Sequence, residues 1–225
     1  MFENKEAKKL FSVLGVVVGL VAEARIARRL GVVEIGGGVP AGAAAAAERL
    51  VARGAGALLS FGLAGGLDPA LAPGALVVPA EVVAGDGRFA TDAALSAWLG
   101  GVNAPALLAG EAALADPAAK RAAFLASGAA AVDLESGAVA RVAARHGLPF
   151  AVLRAVCDPG GRTLPPAALA ALDSRGAIGA WRVLASVLAH PGQVPALLAL
   201  AGDAARARRA LVARVAAIPL RDETA

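Results

Sequence analysis

The sequence predicts an α/β protein, a central parallel or mixed β-sheet flanked by helices. Short β-branched runs alternate with Ala-rich stretches of helical length, as in a sheet with helices on its faces. Glycines cluster where apolar runs end. The apolar fraction of 58% exceeds the usual ~45–50%, so 225 residues can bury one substantial core.

In chain order, Val13–Gly19 reads as a strand and Ala22–Leu30 as a helix. Val32–Ile35 is a strand broken by Gly36-Gly37-Gly38, followed by a helix over Ala43–Arg53. Ala57–Phe61 is a strand running into a glycine turn, "GLAGGLDP", and Ala75–Val83 is another strand. Thr91 caps a helix to about Leu99, and Asp116-Pro117 opens a helix to about Ala126. Ala129–Val132 is a strand, Glu135–His146 a helix stopped by Gly147, and Phe150–Cys157 a strand. Helices over Pro166–Leu172, Ala177–Ala189 and Val194–Val215 close the chain, which is expected to fray at its first eight or so residues and at "RDETA". No repeat or linker divides it, so residues 1–225 read as one domain with 191–225 a C-terminal helical extension.

Composition narrows the function. The formal charge is +4, and the basic residues near the two ends lack the stacking aromatics or reading motif that nucleic-acid binding needs. Cys157 is the only cysteine, so no internal disulfide forms, which suits a reducing cytoplasm. His146 and His190 are isolated and make no zinc pattern. Val183–Gly202 carries no formal charge, but His190, Pro191, Gly192, Gln193 and Pro195 interrupt it, so it reads as two helices rather than a span.

Residues 11–30, "FSVLGVVVGLVAEARIARRL", fit two descriptions. One is a secretory leader ending at Ala22-Glu23-Ala24. The other is a strand, a turn at Gly19 and a helix with an acid at its start. The second keeps Glu23 at a strand end, where open α/β sheets bind ligands, and it is preferred here.

Three segments put acids or glycines at strand ends: "VVVGLVAE" with Glu23, "SFGLAGGLDP" with Gly62, Gly65 and Gly66, and "AVDLESGAVARVAARHGLPFAVLRAVCDPGG" with Glu135, Arg154 and Asp158. Singly, each has a structural explanation. Glu135 could serve a helix dipole and Asp158 a turn, and "GLAGGL" lacks the G-x-G-x-x-G spacing of a dinucleotide site. Arg154 is harder to dismiss, because a cation inside an Ala/Val strand is costly unless it is paired.

Together the segments resemble the nucleoside phosphorylase and nucleosidase superfamily from about Val13 to His190. "AVDLESGAVARVAARHGLPFAVLRAVCD" is similar to the family's acid-Met-Glu before a helix and then Arg-x-x-Ser-Asp at a strand end. "SFGLAGGL" is similar to its glycine turn, and "GLVAEA" to its N-terminal segment. The resemblance implies the three-layer phosphorylase/hydrolase-like fold and a purine-releasing enzyme.

It also implies roles. Glu135 would bind the ribose hydroxyls, with Leu134, Asp133, Gly65, Ala64 and Leu114 also in substrate binding. Asp158 would protonate N7 of the leaving purine, which requires a pKa above the ~3.9 of a free Asp. Glu23 would orient the nucleophile, and Arg154, Gly19 and Leu63 would lie at the nucleophile or phosphate site. Apart from the resemblance, Arg25, Arg28 and Arg29 are either phosphate ligands or, as helix-surface arginines usually are, simply solvated.

The chain departs from the family at Leu63 and Cys157, where serines are usual. Ala112, Ala113 and Leu114 stand where an aromatic often stacks on the base. "CDPGGRTLPPAAL" and "HPGQVPALLAL" resemble the hopanoid-associated phosphorylase branch. That implies adenosylhopane as substrate, with adenine lost and a ribosyl or phosphoribosyl hopane formed. The aliphatic composition suits the apolar channel such a substrate needs.

The alternatives are a methylthioadenosine/adenosylhomocysteine nucleosidase and a non-catalytic lipid or nucleotide binder on the same fold. No cofactor is expected, and the nucleophile is left open between inorganic phosphate and water. The resemblance implies a homo-oligomer acting on a lipid-linked adenine nucleoside, cytoplasmic or peripheral to the inner face of the membrane. Leu211, Val212, Val215 and Ile218 fall at roughly helical spacing among Arg206 and Arg209. That face would lie on an anionic surface or pack on the domain or on a partner subunit.

Overall fold

The computed structural model describes residues 13–85, 87–170, 186 and 189–219. The elements in order are β1 (Leu14–Val18), α1 (Val21–Ala27), β2 (Val32–Ile35), α2 (Pro40–Ala52), β3 (Ala57–Gly66), β4 (Leu76–Val77), β5 (Pro79–Ala84), β6 (Gly87–Ala90) and α3 (Ala93–Trp98). They continue with β7 (Ala104–Ala109), α4 (Pro117–Ser127), β8 (Ala131–Asp133), α5 (Ser136–His146), β9 (Phe150–Asp158), α6 (Pro166–Ala170), a 3-10 turn (Pro191–Gln193) and α7 (Val194–Ala217).

The strands make one mixed sheet in the order β2-β1-β3-β8-β7-β5-β6, with β9 paired to β3 and β4. β1 runs parallel to β2 and β3, and β3 parallel to β9, while β8 meets the far end of β3 antiparallel. This is the expected α/β class, with helices on both faces.

Strand alternation sorts the core into two layers. Val17, Leu58, Phe150, Val152 and Val156 face one side and pack with Ala43, Ala46, Ala47 and Leu50 of α2 and Val139, Val142 and Ala143 of α5. Leu14, Val16, Val18, Leu59, Phe61, Ala151 and Leu153 face the other, against Ala24 and Ala27 of α1, Leu95 of α3 and Ala207, Leu211 and Val215 of α7. Each fully buried Val or Leu of β1 contributes about 1.5–3 kcal/mol. Many small alanines on α2 and α5 let these helices sit close to the sheet.

The glycine turn expected after Phe61 is instead strand. Gly62, Leu63, Ala64 and Gly65 pair with Arg154, Ala155, Val156 and Asp158 across β9, with a bulge between Ala64 and Gly65. Ladder hydrogen bonds to β9 outweigh the weak strand preference of glycine. The single strand expected over Ala75–Val83 is two, β4 and β5, paired to different neighbours. β6 and β7 were not anticipated. Asp92, not Thr91, caps α3: its carboxylate accepts from the Leu95 N–H at 2.8 Å, while the Thr91 hydroxyl donates to the Pro79 carbonyl. The helix expected over 177–189 falls, but for Ser186 and Ala189, outside the described residues, as do the first eight residues and "RDETA".

Of the fates left open for the C-terminal apolar face, packing on the domain is the one observed. Ala207, Leu211, Val215 and Ile218 are buried against the sheet and α1, and only Val212 of the expected stripe is exposed. That face is therefore not free to lie on a bilayer. Among the described residues no helix is long and apolar enough to cross a membrane.

Candidate active site

β1, β3 and β9 lie side by side, and the polar residues stand within β3 and β9 or just beyond β1. Even-numbered positions of β9 face the α2/α5 layer (Phe150, Val152, Val156), and the same alternation carries Arg154. Ser60 follows Leu58 on that face of β3 in the same way.

Arg154 is the hub, 1% exposed. One amine of its guanidinium meets Asp133 at 2.6 Å and donates to the Ser60 hydroxyl at 2.6 Å; the other donates to Glu135 at 3.2 Å. Ser136 hydrogen-bonds both Ser60 and Asp133. Asp133 also accepts from the N–H groups of Glu135 and Ser136 at the start of α5, which fixes where Glu135 leaves the helix. The Arg154 Nε is buried without a partner among the described residues.

Glu23 stands at the third position of α1 and folds back on the helix start. It accepts from the N–H groups of Gly19 (3.0 Å) and Leu20 (2.8 Å), the latter as in a capping box. Its other oxygen accepts from the Leu63 N–H at 2.8 Å, reaching across to β3. Burial raises its pKa, opposed by Arg154 and these three donors.

Glu135 lies against the backbone of Gly19 and takes the Gly38 N–H at 3.3 Å. Burial raises its pKa to about 7; Arg154 opposes the rise, and Glu23 and Asp133 add to it. Between the ordinary 4.5 and about 7 the folded chain therefore holds a proton that the unfolded chain has released. The contribution of Glu135 to stability falls as pH rises through that window. Urea titrations of wild type and Glu135→Gln at several pH values from 4.5 to 7 check this: wild type should lose ground to the variant as pH rises, and parallel curves would count against a buried Glu135.

Two glycines are needed for this convergence. A Cβ on Gly62, whose φ is +149°, would lie 2.6 Å from a Glu23 oxygen and 2.8 Å from an Arg154 amine. A Cβ on Gly19 would lie 2.8 Å from Glu135. Gly62→Ala is therefore expected to push Glu23 and Arg154 apart and lower turnover by about 100-fold, the scale of a 1 Å misplacement. A Gly62→Ala enzyme with wild-type kcat would show that the contact is slack.

Asp158 ends β9 three β3 residues further along, beside Gly65, a separation of about 10 Å in strand rise. Its Oδ2 lies 2.5 Å from the Lys120 ammonium, and its Oδ1 is buried without a partner among the described residues. Burial raises its pKa, while the hydrogen bond and charge of Lys120 and the charge of Arg162 pull it down. Cys157 sits between the two groups of acids. Its thiol is pushed up to about 12, first by burial and then by Asp158 and Glu23, so it stays protonated.

The remaining expected residues are placed as follows. Gly19 and Leu63 give their N–H groups to Glu23, and Ala64 is buried in the core. Leu134 is half-buried. Leu114 is half-buried against the Leu67, Ala106 and Val132 cluster, and Ala112 and Ala113 are exposed. Arg25, Arg28 and Arg29 are exposed on or just after α1.

Sequence reasoning missed Ser60, Ser136, Gly38 and Lys120. Strand period places Ser60 with Arg154. Lys120, Ala123 and Phe124 at helical spacing mark a lysine on the inward face of α4. Among the described residues no group of His, Cys, Asp and Glu is arranged to hold a metal ion. A cavity of about 300 Å³ lined by Phe89, Asp92, Ala143, Leu148 and Phe150 lies at the opposite end of β9 and includes none of these acids.

The chain matches the Phosphorylase superfamily over two overlapping stretches, residues 19–124 and 106–177, which together span every residue of this cluster. No curated protein sequence matches it. Among solved structures it is similar in fold to the 5′-methylthioadenosine/S-adenosylhomocysteine nucleosidase of Helicobacter pylori (16% identity, TM-score 0.64, 90% of this chain and 97% of that one). The futalosine hydrolase of the same organism is similar too (16%, 0.64, 90% and 97%), as is the nucleosidase of Colwellia psychrerythraea in complex with adenine (19%, 0.60, 80% and 96%). The sheet and its strand-end cluster thus accompany a sequence match over most of the chain: this protein belongs to the phosphorylase superfamily and is an enzyme of the nucleosidase/phosphorylase type.

Proposed function

We propose that the enzyme hydrolyses the N-glycosidic bond of a 5′-modified adenine nucleoside with a large apolar 5′ substituent, adenosylhopane being the substrate the sequence resemblance implies. The observation that carries this is the placement of the acids: Glu23 and Glu135 gather around Arg154, and Asp158, with one oxygen lacking a partner among the described residues, lies three β3 residues beyond Arg154, about 10 Å in strand rise. That spacing suits a ribose at the first group and a purine edge at the second. Adenine bound to the Colwellia nucleosidase makes the purine the first base to test.

Cleavage builds positive charge on the sugar, as in glycoside hydrolysis, and negative charge on the base. Glu135 holds the ribose hydroxyls and faces the sugar cation. Glu23 takes a proton from water as its oxygen bonds to C1′. The C1′–N9 electron pair leaves with the purine, and N7 takes the proton of Asp158. Burial holds that proton on Asp158 above the ordinary carboxylate range.

Water is favoured over phosphate by charge. One guanidinium faces Asp133, Glu135 and Glu23, and the N–H groups of Gly19, Leu20 and Leu63 are already given to Glu23. A dianion would compete with Asp133, Glu135 and Glu23 for the charge of that one guanidinium.

The apolar 5′ group finds support in Val21 and Val39, 43% and 42% exposed. They directly follow Leu20 and Gly38, whose N–H groups serve Glu23 and Glu135. Valines adjoining these two N–H donors in sequence suit a hydrocarbon tail better than a charged one.

The test is adenine release from a 5′-alkyl adenosine of large apolar tail, methylthioadenosine and adenosylhomocysteine, with and without phosphate. The apolar substrate should be fastest and indifferent to phosphate. Preference for methylthioadenosine would favour the small-substrate nucleosidase, and no release from any of them would overturn the proposal.

A further inference from the structure

Lys120 is as enclosed as Arg154, 1% exposed on the inward face of α4. An ammonium has three protons to donate. All three go to one short segment: Asp158 Oδ2 at 2.5 Å, the Arg162 carbonyl at 2.9 Å and the Pro159 carbonyl at 3.3 Å. Burying a cation is costly unless it is fully paired, so this lysine is held for that segment. Arg162 is fastened from the other side by Asp203 of α7, which also pairs with Arg206. The charged and titratable groups around Asp158 are therefore Lys120 from α4, Arg162 from the loop, Asp203 from α7 and the protonated thiol of Cys157.

Engaging Oδ2 leaves Oδ1 as the oxygen without a partner among the described residues. An unpartnered buried carboxylate oxygen calls for a hydrogen-bonding ligand.

We propose that Lys120 is the positioning residue of the leaving-group acid, fixing Asp158 so that Oδ1 faces the base and meeting the negative charge left when its proton departs; this rests on the purine-releasing function proposed above. The proton passes from Asp158 Oδ1 to N7 as the C1′–N9 pair moves onto the purine. Asp158 becomes a carboxylate, and the ammonium keeps its own protons. The stabilising charge is in place before the reaction, in a site closed to solvent, where it is most effective.

The test compares wild type with Lys120→Met, Lys120→Gln, Lys120→Arg and Asp158→Asn. It reads kcat and KM against pH for adenine release, and the Asp158 carboxyl titration by 13C NMR in the substrate-free protein, assigned by its loss in Asp158→Asn. Lys120→Met and Lys120→Gln should lower kcat about 100-fold with little change in KM. The alkaline limb of the profile and the Asp158 titration should both move to higher pH, and Lys120→Arg should return both toward wild type. If Lys120→Met does not fold, Lys120→Gln carries the same expectations. A folded neutral variant whose activity falls equally at every pH, with the titration unmoved, would show Lys120 to be a packing residue and leave the proposed function standing. Wild type releasing no base from any purine nucleoside would instead overturn the function and this inference together.

Discussion

Arg154→Met is expected to destabilise the protein by about 3–5 kcal/mol, the cost of breaking a buried ion pair from one side. The guanidinium is the common partner of Asp133 and Glu135 and the nearest cation to Glu23. Methionine fills much of its volume but leaves three buried carboxylates facing one another. The wild-type cluster already holds Glu135 near 7, and losing Arg154 raises it further. The variant should accordingly regain stability as pH falls, because protonation removes the uncompensated charge. Urea unfolding at pH 5 and pH 8 reads both effects. A variant as stable as wild type at both pH values would mean that Arg154 does not neutralise the cluster.

Asp158→Asn should lower kcat for base release by about 10²–10⁴-fold, the range for removing a general acid, with nucleoside affinity nearly kept. The amide matches the carboxyl in shape and can still hydrogen-bond N7, but it has no proton to give. A substrate whose base leaves without protonation should lose much less. Affinity falling in step with kcat would place Asp158 in ground-state binding, and an unchanged kcat would fit a binding protein rather than a catalyst.

How much of this was written in the sequence depends on whether the evidence was local. Val16–Val18, Leu58–Phe61 and Ala151–Val156 are short β-branched or apolar runs, and they are the buried centre of the sheet. β7 is "APALLA" and β6 is "GRFA". Neither is rich in β-branched residues, and only pairing with β5 and β8 makes them strands. The stretch Gly62–Gly66 looked like a turn because glycine lacks local preference, yet the missing side chain of Gly62 makes the room that Glu23 and Arg154 occupy.

The acids themselves were legible at strand ends, where the sequence resemblance also put them. Their supports were less so. Ser60 is one hydroxyl in an apolar strand, and its bond to Arg154 spans 94 positions. Lys120 is 38 residues from Asp158, and only the inward face of α4 marked it. The C-terminal stripe could be read as an amphipathic face, but nothing local tells whether sheet or bilayer covers it; contact with β9 and α1 does.

The central claim is that one substrate spans the whole row of acids. The most direct measurement is a crystal structure of the enzyme with a non-cleavable 5′-alkyl adenosine analogue. The purine N7 should lie within hydrogen-bond distance of Asp158 Oδ1, the ribose 2′- and 3′-hydroxyls on Glu135, and the alkyl chain against Val21 and Val39. A nucleoside bound elsewhere, or one whose ribose touches neither Glu23 nor Glu135, would contradict the account.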